Sequence, residues 1–91
     1  MLGLNDRVQA RTDLLSVSAD GEMVILHMEK GVYLNLNNTA AEALRRLETP
    51  KRLGELCNEL VEVFDAPVEE IESDILELAR QMVEADLIRI V

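Results

Sequence analysis

Apolar residues change their spacing once along this chain, from every second position to every third and fourth. Val32, Leu34 and Leu36 alternate with Tyr33 and Asn35, the period of a strand with one apolar face. Leu14 to Ser18 reads as an earlier strand, preceded by extended chain from Arg7 to Arg11, and Glu22 to Met28 as the strand between. The unbroken run Met23-Val24-Ile25-Leu26 suits a central strand covered on both faces. Asp20-Gly21 and Lys30-Gly31 are turn signals; Asp-Gly suits a type I′ turn, whose two central residues need positive φ. Short consecutive strands with tight turns predict a three-stranded antiparallel meander.

Beyond Leu36 the period becomes helical. Thr39 and Glu42 have the spacing of a capping box, which places a first helix from about Ala40 to Glu48 with Ala40, Ala43, Leu44 and Leu47 inward. Thr49-Pro50 opens a second helix, with threonine as cap and proline where no donor is needed. Leu53, Leu56, Cys57, Leu60, Val61 and Phe64 form its stripe. A third helix runs from near Pro67 to near Asp86, with Glu69, Glu70 and Glu72 in its first turns, where the helix dipole favours anions. The tail Leu87 to Val91 is extended, either against a sheet edge or against the core. The result is one α+β domain over residues 1–91: a three-stranded antiparallel sheet followed by three helices, winged helix-turn-helix-like in order.

The third helix carries two apolar stripes, Ile71, Ile75, Leu78 and Met82, and then Leu76, Ala79 and Val83, roughly 80–100° apart. Either both are core, because the helix is wedged between a sheet and two helices, or the second lines a groove beside strand 32–36. Apolar surface retained on a small protein marks a contact site.

Charge narrows the partners. The chain carries a net −9. Residues 1–37 hold three basic and five acidic groups, whereas residues 38–91 hold six basic and thirteen acidic ones. From Glu69 to Asp86 the third helix has seven acidic residues against Arg80 alone. A helix-turn-helix regulator would push that helix toward phosphates at a cost in affinity, and Tyr33 and Phe64 are too few for base stacking. Nucleic acid is therefore not expected, nor is a membrane, since no apolar run reaches the ~18 residues of a span. Without a signal-like N-terminus, the cytoplasm is the expected location.

No catalytic constellation is legible. Ser16, Ser18 and Ser73 lie outside any nucleophile turn, and there is no phosphate-binding or dinucleotide glycine pattern. His27 reads as an ordinary strand residue, because one imidazole without convergent partners supports neither metal nor relay. Cys57, the single cysteine, reads as a small buried hydrophobe. The acidic residues of the third helix lack the alternate spacing and central glycine of a calcium loop. No enzyme activity, metal or cofactor is expected.

Several short motifs, in order, resemble one family. Asp20-Gly21-Glu22 precedes an apolar strand, and Gly31-Val32-Tyr33-Leu34-Asn35-Leu36-Asn37-Asn38-Thr39-Ala40 is similar to a family pattern of glycine, tyrosine, then Leu-Asn-x-Thr/Ser-Ala. Leu53-Gly54-Glu55-Leu56, Asp65-Ala66-Pro67, Glu70 to Leu78 with Asp74, and Asp86-Leu87-Ile88 continue it. The chain thus resembles the pyrroloquinoline quinone biosynthesis protein D (PqqD) family, recognition elements for ribosomally made, modified peptides. The resemblance implies a non-enzymatic adaptor that receives a precursor's leader as an added strand and presents it to a protease, macrocyclase or radical enzyme. The junction Leu47-Glu48-Thr49-Pro50-Lys51 lacks the acidic-glycine turn of the quinone-route member, which favours a lasso-peptide type of pathway over quinone cofactor synthesis.

The peptide-binding residues expected on this basis are Val32, Tyr33, Leu34, Asn35 and Leu36 for backbone pairing, with Ile75, Leu76, Ala79 and Val83 as the apolar wall. Arg80 either pairs with a leader group or stays on the surface beside Glu77 and Glu84.

Overall fold

A computed structural model describes residues 2–20 and 22–91. They form six strands in two antiparallel sheets and three helices: β1 (Arg7–Ala10), β2 (Leu15–Ala19), β3 (Glu22–His27), β4 (Val32–Leu36), α1 (Asn38–Arg46), β5 (Lys51–Arg52), α2 (Leu53–Phe64), α3 (Val68–Glu84) and β6 (Ile88–Ile90). The α+β class and the three-stranded meander hold, with strand order β2-β3-β4. Gly21, and with it the expected Asp-Gly turn, lies outside the described residues.

Pairing of Leu15 with Leu26 and Tyr33, and of Val17 with Val24 and Asn35, puts these side chains on one face of the meander. Met23, Ile25 and His27 alternate with them and point to the opposite, buried face. There α1 covers the sheet with Ala40, Ala41, Ala43 and Leu44, mostly small residues that let the helix approach closely. Val24 is 38% exposed, so the central strand is covered on one face only. The run Met23 to Leu26 had predicted burial on both faces. Continuous apolarity does not say whether a second layer exists to cover it.

The extended segments at the two ends of the sequence find each other. β1 pairs with β6 in the register Val8↔Ile90, Gln9↔Arg89 and Ala10↔Ile88, and on its other side with β5. The tail therefore joins the N-terminal segment rather than the meander. Asp86, at φ 60°, makes the reversal after α3, and the Leu87 N–H donates to the Met82 carbonyl at 2.9 Å. The β1 end is pinned to the helices as well, with Ala10 N–H on the Leu47 carbonyl at 2.8 Å and Arg11 N–H on the Leu87 carbonyl at 2.9 Å.

Two helix starts differ from expectation. α1 is capped by Asn37, whose Oδ1 accepts the Ala40 N–H at 2.9 Å, so Thr39 lies inside the helix and Glu42 pairs with Arg46 at 2.8 Å instead of closing a capping box. Asn37 wins because an amide oxygen caps at least as well as a hydroxyl and comes first along the chain. α2 starts at Leu53 and not at Thr49-Pro50, because Lys51 and Arg52 pair with β1. The first N–H groups of α2 are satisfied from the N-terminal segment: Leu53 donates to the Asp6 carbonyl at 3.0 Å and Gly54 to the Leu4 carbonyl at 2.8 Å. A Cβ at position 54 would stand 3.3 Å from that Leu4 oxygen, so this contact requires glycine or a shift of backbone. Glu55 reaches back to the Arg52 N–H at 3.2 Å.

The core lies where α1, α2, α3 and the two sheets meet. Ile25, Leu47, Leu53, Leu56, Leu60, Ile75, Leu87 and Ile88 are essentially excluded from solvent. Each such side chain contributes about 1.5–3 kcal/mol on burial, and this packing fixes α3 relative to the meander.

Candidate functional site

β4 is an end strand of its sheet, so one of its edges is without a partner among the described residues. Such an edge presents a row of unsatisfied N–H and C=O groups. Its side chains divide between two faces. Tyr33 is 73% exposed on the outer face beside Asn35, while Val32, Leu34 and Leu36 share the side of Met23, Ile25 and His27. Leu34 and Leu36 are only half-buried. α1 covers the middle of the sheet and leaves the inner flank of its last strand partly open.

A cleft of about 260 Å³ lies at the end of this strand. One wall is the β4–α1 junction, Asn37 and Thr39; the other is the α3 face formed by Asp74, Glu77, Leu78 and Gln81. Positions 74, 78 and 81 follow one another on one side of a helix. Leu78 is half-buried, with one side packed on the core and the other open to the cleft. Glu77 is held by Arg80 at 2.5 Å and Gln81 at 3.2 Å, and Arg80 keeps the Glu77 carboxyl below its usual range. Asp74 has no ion-pair or hydrogen-bond partner among the described residues.

The second stripe of α3 lies elsewhere. Leu76 stands roughly 200° around the helix from Leu78, and Val83 roughly 140°. Both are half-buried against the core, while Ile75 and Ala79 are buried outright at 1% and 3% exposure. Arg80 is a surface residue bound to Glu77 and, at 3.0 Å, to Glu84. The α3 residues at the cleft are thus Asp74, Glu77, Leu78 and Gln81. Sequence reasoning passed over them because Leu78 belongs to the same stripe as Ile75. A leucine flanked by polar residues at i−4 and i+3, Asp74 and Gln81, was the available signal.

Polar chemistry collects at the other end of the meander. The His27 ring is 1% exposed; its Nε2 lies 3.2 Å from Asp86 Oδ2, and its Nδ1 accepts the Lys30 N–H at 3.3 Å. Arg11 completes the group by pairing with Asp86, with Asp13 at 2.7 Å and with Glu29 at 3.1 Å. The expectation of a strand histidine without convergent partners is therefore corrected: β1, the β3–β4 loop and the turn after α3 bring four charged residues to it. Burial pushes the Asp86 carboxyl up, but the His27 hydrogen bond and the Arg11 charge outweigh it and leave the group below its ordinary value. His27, Glu29 and Asp86 offer ligand atoms within 4.8 Å of one another. The Arg11 guanidinium already supplies Glu29 and Asp86 with a cation, so the cluster is complete as an ionic tie between the two sheets.

Cys57 is 1% exposed in the core, and burial, helped by the Glu72 charge, pushes its thiol up to about 11. A protonated, enclosed thiol is a poor nucleophile. Among the described residues no helix is long and apolar enough to cross a membrane.

The sequence model of the family described as "Coenzyme PQQ synthesis protein D (PqqD)" matches residues 22–88. Among solved structures the chain is similar to "TbiB1 in Complex with the TbiA(beta) Leader Peptide", at 22% identity with a TM-score of 0.79, covering 89% of this chain and 94% of that one. No curated protein matches it.

Proposed function

The chain belongs to the PqqD family, and from that membership and the open β4 edge we propose that it binds the leader of a ribosomally made precursor peptide as a further strand. The observation that carries this reading is the unpaired edge of Val32–Leu36, whose strand ends at Asn37 in the wall of a cleft against α3. Strand addition supplies main-chain hydrogen bonds worth about 0.5–1.5 kcal/mol each, and those bonds are indifferent to sequence. Choice of leader comes from its side chains entering the space between the half-buried Leu34 and Leu36 and the α3 wall, where one large apolar side chain adds roughly 1.5–3 kcal/mol. The likeness to a structure holding a leader peptide supports the same reading.

In this proposal the protein is an adaptor and not a catalyst, acting in the cytoplasm where such precursors are made. It hands the leader to a modifying enzyme or leader peptidase. The lasso-peptide type is favoured by the junction at Leu47 to Lys51, which lacks an acidic-glycine turn. Delivery needs a second surface, and the outer face of the meander offers one: Leu15, Val17 and Tyr33 are 56%, 69% and 73% exposed on it. That much apolar surface marks a contact site.

Amide hydrogen exchange with synthetic leaders taken from the short open reading frames beside the gene tests the reading. Protection is expected in β4 and α3. Protection of β2, the other open edge of this sheet, would move the site, and no protection at all would refute leader binding.

A further inference from the structure

Resting on that reading of the β4–α3 groove, we propose that Asp74 selects leaders carrying a lysine or arginine beside the apolar anchor residue. The cleft offers an anchor one apolar surface, Leu78, and surrounds it with Asp74, Glu77, Gln81, Asn37 and Thr39. Of its two carboxylates, Glu77 is already paired with the Arg80 cation and accepts a further hydrogen bond from Gln81. Asp74 is the one left without a cation among the described residues, one helical turn before Leu78 on the same side of α3.

Continuity with the open strand fixes the occupant. A chain added along β4 reaches the strand's end beside Asn37, which together with Thr39 forms one wall of this cleft. Its side chains alternate between the two faces of the sheet, so residues two apart point the same way. An apolar residue on Leu78 therefore places its neighbour two positions away toward Asp74 or Gln81.

The field around the groove has one sign. On the cleft side of α3, Glu70, Asp74 and Glu77 stand with Arg80 as the single basic residue of the helix, and Arg80 is exposed and occupied by Glu77 and Glu84. A leader bearing carboxylates at this point is repelled, whereas a basic one is drawn in and paired. Partly exposed pairs are weak, which makes this a selectivity filter over the affinity supplied by backbone and anchor.

The test uses three fluorescein-labelled peptides in anisotropy titrations: a synthetic leader from a short open reading frame beside the gene that protects β4 in the exchange experiment, and two synthetic strands, Thr-Val-Thr-Leu-Thr-Lys-Val-Thr and the same sequence with Glu in place of Lys. The Lys strand is expected to bind about five- to twentyfold tighter than the Glu strand, with the difference shrinking as salt rises. Asp74→Asn should abolish the preference and Asp74→Lys should reverse it, both with unchanged melting because Asp74 is exposed. Equal binding of the two strands to the unmodified protein would overturn the proposal. So would a preference that survives Asp74→Asn and disappears in Glu77→Gln. Failure of all three peptides to bind would refute leader binding itself, a result distinguishable from a leader that binds without regard to charge.

Discussion

Ile75 and Leu78 lie three residues apart in one sequence stripe, yet the structure gives them different work, and truncating each to alanine separates core from groove. Ile75 is 1% exposed beneath the sheet and helices. Ile75→Ala removes three buried carbons, about 2.5 kcal/mol of transfer energy, and a residual cavity raises the loss to about 3–4 kcal/mol. For a domain of this size each kcal/mol is about 4–8 °C, so its melting temperature should fall by about 15 °C or more. Leu78 has one side in the cleft, so Leu78→Ala loses about half the transfer term, about 1 kcal/mol, or near 5 °C. Its affinity for the leader should weaken about fivefold, as about 1 kcal/mol of anchor contact is lost. Thermal melts by circular dichroism at the helix band, with anisotropy titration of the labelled leader on the same samples, give both numbers. Melting of Leu78→Ala as low as Ile75→Ala would make Leu78 a core residue and close the cleft. A modest melting change with unaltered affinity would refute the role of the cleft in binding.

Asn37→Ala should lose about 1 kcal/mol of cap energy and lower the melting temperature by about 4–8 °C, whereas Thr39→Ala should cost well under half of that; parallel melts decide which residue starts α1. The Glu59 carboxyl is held below its ordinary value by hydrogen bonds from Arg46 at 2.8 Å and Lys51 at 2.9 Å. A carboxylate whose pKa is depressed on folding stabilises the fold above its unfolded pKa and loses that contribution as pH falls through the folded one. Glu59→Gln should therefore lower the urea midpoint at neutral pH, and the difference from the unmodified protein should start to shrink as pH falls below the ordinary glutamate value of about 4.3 and disappear only once the pH is below the depressed folded-state value. Cys57, with its thiol pushed up to about 11, should resist Ellman's reagent at neutral pH in the folded protein and react fully in denaturant; fast labelling of the native state would contradict its burial.

Periodicity carried the elements because it is a local consequence of backbone geometry. The strands around Met23 to Leu36, the stripes of α2 and α3, and the turn at Gly31, whose φ of 64° suits glycine, could be read position by position. The motif order pointed to the family, and the match over residues 22–88 agrees. Asn37 as the cap was also local information, hidden by a competing Thr–Glu spacing.

Three things were decided only by tertiary structure. The pairing of residues 7–10 with 88–90 brings together segments from opposite ends of the chain, and alternation within each cannot name its partner. The Arg11–Asp86–His27 tie likewise joins groups whose neighbourhood exists only after both sheets form. Last is the identity of the α3 face that meets the β4–α1 junction. The amino-acid sequence alone determined an acidic, amphipathic helix after an edge strand. Its rotation was set by packing, since burying Ile71, Ile75, Ala79 and Met82 turns Asp74, Leu78 and Gln81 toward Asn37 and Thr39 at the β4–α1 junction, while Leu76 and Val83 project from other sides of the helix. A helix with two apolar stripes can satisfy its own periodicity in either orientation, and only the shape of the core chooses between them.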